Sequence, residues 1–152
     1  LEKELQESRN KLKALISNLP GMAYKCKNVH SWSMEFVSKG CYDLTGYKPG
    51  EIMGNKVCSY NDLIHPDDRQ RVWEKIQEGV KKDERFEVEY RIFTKENELK
   101  WVLENGKCTN CDGSGPEIIE GFISDITGRK KAERARQKAL EKAREKQKII
   151  EI

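Results

Sequence analysis

The amino-acid sequence predicts an α+β domain flanked by two helices that lie largely outside its core. Three observations carry this reading. Phe86, Val88, Tyr90 and Ile92 alternate with Glu87, Glu89 and Arg91, the period-two pattern of a strand with one buried face. Val72, Trp73, Ile76 and Val80 recur at helical spacing just before it. The two ends of the chain are highly charged, with narrow apolar stripes, and mean hydropathy is −0.85. The predicted divisions are an N-terminal amphipathic helix over 1–19, a globular core over 20–127 and a C-terminal connector helix over 128–152.

Taken in order, Leu1, Leu5, Leu12, Leu15 and Leu19 follow alternating steps of four and three, with Ser8 in the one gap. This is an a/d seam of nearly three heptads, which must pack either on its own domain or on the same helix of a second chain. Pro20-Gly21 ends it. Residues 22–27 and 34–37 are short strands, 41–44 and 60–64 helical turns, and Pro49-Gly50 punctuation between them. His65-Pro66-Asp67-Asp68 reads as a helix start, with His65 or a neighbour capping and Pro66 first in the helix. After the strand at 86–92, residues 95–98 turn, with Asn97 suited to a left-handed conformation. Residues 101–108 return, 110–116 turn, and 118–126 form the last strand. The tail contains no Gly or Pro after Gly128 and is rich in helix formers. Its seam of Ala132, Ala135, Ala139, Ala143 and Ile150, with Leu140 alongside, is too thin to hold it on its own domain.

Charge and cysteines narrow the class. From Arg129 to Ile152 there are ten Lys/Arg against four Glu, a net of +6; the other 128 residues hold 19 Lys/Arg against 22 acids, a net of −3. The basic tail lacks aromatic residues and is interrupted by acids, so it reads as a solvated helix, and no nucleic-acid partner is expected. No apolar run reaches the roughly 20 residues of a membrane helix. The five cysteines, Cys26, Cys41, Cys58, Cys108 and Cys111, are an odd number at irregular spacing, which points away from a disulfide framework and towards the cytoplasm. The chain lacks a starting Met and is expected to be part of a longer protein, which can carry membrane segments elsewhere.

Five words in order, "LTGYKPGEIMG" (44–54), "LIHPDDR" (63–69), "FEVEYRI" (86–92), "KWVLENG" (100–106) and "GFISDITGRKKAE" (121–133), resemble a PAS domain with its C-terminal PAC motif. The resemblance covers about residues 17–133. It implies a PAS fold, a five-stranded antiparallel sheet with helices on one face. It also implies a non-enzymatic sensory or relay module in a signal-transduction protein, with a covalently attached histidine kinase or diguanylate cyclase as output. The family's Asp-Ile-Thr hinge matches Asp125, Ile126 and Thr127. Thr127 is suited to cap the following helix by accepting from N–H groups near Arg129 or Lys130, Asp125 to accept hydrogen bonds at the strand end, and Ile126 to anchor in the core.

Sharper chemistry finds little support. Haem needs an axial ligand, and His30 in a turn and His65 in the helix start do not match the family's haem position. Light-sensing relatives carry a Gly-Xaa-Asn-Cys-Arg-Phe-Leu-Gln word. Cys58 in "GNKVCSYNDL" lacks its flanking residues and reads as a small buried hydrophobe. Haem and flavin are therefore not expected, no metal is assigned, and the signal remains open. Cys108 and Cys111 form a lone CxxC pair, with two ligands at most. No phosphate loop or nucleophile word is present, and Glu87 and Glu89 read as a solvated strand face. Phe36, Leu44, Val72, Ile76, Tyr90, Leu103, Gly121 and Ile123 are assigned, on apolar facing alone, either to a small-molecule pocket between sheet and long helix or to a filled core. A homodimer through the 1–19 helix is expected, and a ligand-free dimerisation scaffold is the alternative function.

Overall fold

The computed structural model describes residues 1–151, so the expected end of the tail at Ile152 lies outside the described residues. The elements are α1 (Glu2–Asn18), β1 (Met22–Lys27), β2 (Met34–Val37), α2 (Gly40–Thr45), α3 (Pro49–Ile52), α4 (Tyr60–Leu63), a 3-10 turn (Pro66–Asp68), α5 (Arg69–Lys82), β3 (Phe86–Phe93), β4 (Leu99–Cys108), β5 (Ile118–Asp125) and α6 (Thr127–Glu151). The strands form one antiparallel sheet in the order β2-β1-β5-β4-β3. The last strand therefore lies at its centre, beside the first.

α2 to α5 cover one face of this sheet. Leu44, Ile52, Tyr60, Leu63, Val72 and Ile76 from the helices share one core with Met22, Tyr24, Val88, Tyr90, Val102 and Ile123 from the strands. α5 is amphipathic as its spacing requires: Val72 and Ile76 are buried one turn apart, and Lys81 and Lys82 lie at its negative end. Pro49 and Gly50, expected to punctuate a loop, instead open α3. Pro49 takes its first turn, where a missing N–H costs nothing, and Glu51 accepts from the Lys48 N–H at 2.9 Å.

The helix start at "HPDDR" has two fixing points. His65 Nδ1 accepts from the Asp67 N–H at 3.1 Å, which is the expected cap. Asp68, a buried acid, accepts from Arg91 Nη2 at 2.7 Å, Nε at 3.0 Å and the Arg91 backbone N–H at 2.9 Å. This forked, charge-assisted pairing ties the start of α5 to edge strand β3. The bond from Arg91 is the main reason the Asp68 carboxyl is held below its usual range.

α1 buries none of its residues, and Leu5, Leu12, Leu15 and Leu19 are all more than half exposed. Of the two expected places for its seam, its own domain is not the one it occupies. α6 is likewise exposed beyond its first turn. Among the described residues no helix is long and apolar enough to cross a membrane.

Replacing Asp68 by Ala leaves the half-buried Arg91 guanidinium without its partner and is expected to cost about 2–3 kcal/mol in urea unfolding at neutral pH. Because the folded-state pKa of Asp68 is lowered, its contribution is present above the unfolded carboxylate pKa and is lost as pH falls through the folded one. The difference between wild type and D68A should therefore shrink in acid.

Candidate functional site

The interior carries a feature that apolar patterning does not reveal. Glu104 of β4 is buried, 5% exposed, on the sheet face covered by the helices. It has no cationic partner there. Its carboxylate instead accepts from the hydroxyls of Tyr24, in a short contact, and Tyr90, at 2.6 Å. The Tyr60 hydroxyl lies 2.8 Å from that of Tyr90 and donates to it, since Tyr90 spends its own proton on Glu104. The four groups form a closed polar chain in an apolar core, and no buried side-chain polar atom among the described residues lacks a partner. Burial pushes the Glu104 carboxyl up, and the two tyrosine bonds oppose this. Burial, and then the charge of Glu104, push all three tyrosines well above their ordinary range.

Two glycines make room for this chain. Gly106 and Gly121 face each other across β4 and β5, and Tyr24 pairs with Gly121 from the other side. A Cβ on Gly106 would sit 2.7 Å from the Tyr24 hydroxyl, and one on Gly121 2.8 Å from it and 2.2 Å from the Asn105 carbonyl. Gly121 thus belongs to the expected set for a reason of space rather than apolarity.

Leu44, Val72, Ile76, Tyr90 and Ile123 lie in the core as expected, each at most 3% exposed. Two expected lining residues do not. Phe36 is 48% exposed and borders a groove with Lys13 and Ile16 of α1. The cause is one extra residue in β2, Glu35, where the register against Lys25 and Cys26 of β1 shifts; it makes Met34 and Val37 the buried pair and turns Phe36 outward. Leu103 lies on the outer face, opposite Glu89 and Ser124, because Val102 and Glu104 point inward. Burial of Glu104 reverses the facing that apolarity alone predicts.

The strand-to-helix junction is built on Trp101. Its carbonyl accepts from the Ile126 N–H at 2.9 Å, and its N–H donates to Thr127 Oγ1 at 3.0 Å. Ile126 is buried and its carbonyl accepts the helical bond from the Lys130 N–H. Asp125 accepts from the Thr127 N–H at 2.9 Å and lies 3.7 Å from Lys100 Nζ. The expected cap therefore changes identity. Thr127 spends its hydroxyl on β4 rather than on Arg129 or Lys130, and Asp125 supplies the side-chain acceptor.

The first turn of α6 is held on the outer face. Lys130 lies 4.8 Å from the Trp101 ring and 2.6 Å from Glu89, and Arg129 bonds Glu89 at 2.5 Å. These bonds, Lys130 first, draw the Glu89 carboxyl below its usual range. Glu89, expected on a solvated face, is therefore an anchor, whereas Glu87 is exposed as expected. Arg91 lies 5.6 Å from the other part of this arrangement, the Trp101 ring, so Asp68, Arg91, Trp101, Lys130 and Glu89 form a connected series from α5 to α6. The other singled-out residues have local partners. His30 stacks on Trp73 at 3.7 Å, His65 on Phe93 at 5.3 Å, and Cys58 is half-buried against the core.

A family model described as "PAS fold" matches residues 34–123, more than half of the chain. The chain belongs to the PAS fold family. Two curated proteins give the setting in which similar PAS segments occur. The methyl sulfide methyltransferase-associated sensor of Methanosarcina acetivorans is 28% identical over 84% of this chain and 13% of its own length. The blue-light-activated histidine kinase of Brucella ovis is 31% identical over 70% of this chain and 22% of its own length. The chain thus spans under a quarter of either relative. Among solved structures, the sensory box histidine kinase/response regulator of Burkholderia thailandensis superposes with a TM-score of 0.71 at 24% identity, over 89% of this chain and 98% of that one. That likeness is of fold.

A raised Glu104 pKa means the folded PAS domain keeps a proton that the unfolded chain releases. Its effect on stability is therefore a loss as pH rises from the unfolded pKa through the folded one. Glu104→Gln, which keeps the shape without the charge, should flatten this slope, so the variant gains on wild type as pH rises above the unfolded carboxylate pKa in urea unfolding. Parallel profiles for the two proteins would contradict the assignment.

Proposed function

We propose that this PAS segment is a non-enzymatic relay module of a larger signal-transduction protein, working in the cytoplasm ahead of a histidine kinase or diguanylate cyclase. The observation that carries this reading is the junction at Trp101. β5, at the centre of the sheet, runs into α6 without a loop, and Asp125, Ile126 and Thr127 tie the turn to β4. A displacement of β5 within the sheet is transmitted to a helix of 25 residues, whereas a flexible linker would dissipate it. The proposed division is a seam helix over 1–19, a core over 20–127 and a connector over 128–152.

The exposed leucines of α1 support a parallel reading of assembly, in which two copies pair through this seam. The alternative, a ligand-free dimerisation scaffold, is favoured by one observation: Leu44, Val72, Ile76, Tyr90 and Ile123 pack into a continuous core. If a small molecule is bound, it displaces part of that packing or meets the Glu104 chain.

Three experiments test these readings. In the full-length protein, Asp125→Ala with Thr127→Ala removes the side-chain bonds at the junction, at about 1–2 kcal/mol in local stability. Regulation of the output should be lost while circular dichroism and basal output persist; unchanged regulation with retained folding would sink the relay. Sedimentation of the 152-residue chain and of a version lacking residues 1–19 should give dimer and monomer respectively. Monomers in both cases remove the seam as an interface. Mass spectrometry of small molecules released on denaturation separates sensor from scaffold.

A further inference from the structure

We propose that Cys108 and Cys111 form a redox-active thiol–disulfide site at the β4–β5 hairpin, whose reaction partners are small-molecule disulfides. The structure brings the two sulfurs within bonding reach of each other, with Cα atoms 6.0 Å apart, within the ordinary span of a disulfide. The residues come together because Cys108 ends β4 in register with Ile119, and the Thr109 N–H donates to the Ile118 carbonyl at 2.8 Å. The chain then turns back over Cys111. Asn110 Nδ2 donates to the Pro116 carbonyl at 2.8 Å, which closes the loop independently of the sulfurs.

That independence argues against a purely structural staple. The bond spans a sequence separation of only three, and the stability a disulfide adds grows with the loop it closes. The strand pairing and Asn110 already hold the turn. The remaining cysteines do not extend it into a framework: Cys26 and Cys41 are buried free thiols, and Cys58 is free and half-buried. Burial pushes the thiols of Cys26 and Cys41 up, which makes them poor nucleophiles at neutral pH.

Access suits exchange with a small disulfide. Cys108 and Cys111 border an open cleft of about 350 Å3 with Val80, Lys81, Asp83, Thr109 and Asp112. Cys111 is part-exposed, whereas Cys108 is buried. Cys111 is thus the sulfur a partner reaches first, and Cys108 the one that resolves the mixed disulfide.

The chemistry balances as two exchanges. The Cys111 thiolate attacks one sulfur of a small disulfide, forming a mixed disulfide and expelling one small thiolate, which takes up the proton Cys111 lost. The Cys108 thiolate then attacks the Cys111 sulfur, closing the protein disulfide and expelling the second thiolate, which takes the Cys108 proton. The protein dithiol is oxidised by two electrons, and one small disulfide is reduced to two thiols. When reduced, the two sulfurs and a Glu117 carboxylate lie close enough to compete for a metal ion. The test must separate that role from exchange.

The 152-residue chain is equilibrated in glutathione mixtures from fully reducing to fully oxidising, quenched, denatured and alkylated, and the labelled thiols are mapped by mass spectrometry. The expected result is a reversible loss of two of the five alkylatable thiols, at Cys108 and Cys111 together, with one midpoint. Cys108→Ser should stop at a mixed disulfide on Cys111, and Cys111→Ser should remain largely unmodified at Cys108. Five thiols throughout, or independent glutathione adducts on the two cysteines, would overturn the proposal. So would one equivalent of Zn2+ held by the reduced chain that blocks oxidation, which would make this a metal site. Circular dichroism of both variants reports folding, and no outcome depends on the relay or on an output domain.

Discussion

A carboxylate buried among tyrosines governs the parity of β4, and much of the remaining structure follows from that parity. With Glu104 turned inward, Val102, Gly106 and Cys108 must also face the helices, and Trp101, Leu103 and Asn105 must face away. A one-residue slip would place Glu104 in solvent and restore an ordinary alternation. It would also leave the Tyr24 and Tyr90 hydroxyls without their acceptor, each a cost of kcal/mol size. The strand is held in its register by polar satisfaction as much as by apolar burial.

That parity also decides where the last helix can attach. Trp101 presents its ring on the outer face, where Arg91 approaches from β3 and Lys130 from α6. Its backbone meanwhile receives Ile126 and Thr127. Glu89, two strands from β5 and on the same face, accepts both cations that open α6. The core carboxylate and the surface junction lie three residues apart on one strand, on opposite faces.

Much of this was legible beforehand, and the exceptions have identifiable causes. The alternation at 86–92 and the spacing of Val72 and Ile76 report burial that each element decides locally, and both elements lie where expected. Asn97 takes its left-handed turn and His65 its cap, since each depends on neighbours within three residues. Phe36 and Leu103 were misplaced because strand facing is relative. A bulge in β2 and a buried acid in β4 reset the phase, and neither announces itself by apolarity. Glu104 had one available signal: it sits opposite Val88 and Ile123 once the strands are paired, but pairing is a tertiary fact.

The amino-acid sequence by itself determined the order and type of the elements other than α3, the family words and the two terminal seams. These are properties of short windows and of composition. Only the tertiary structure decided which acids are solvated and which are anchors. Glu87, Glu89 and Glu104 are the same residue type on the same hairpin, yet one is exposed, one holds α6 and one is buried among tyrosines. What separates them is the set of groups brought close by strands distant in the chain, and electrostatic energy depends on that distance and on burial rather than on sequence position.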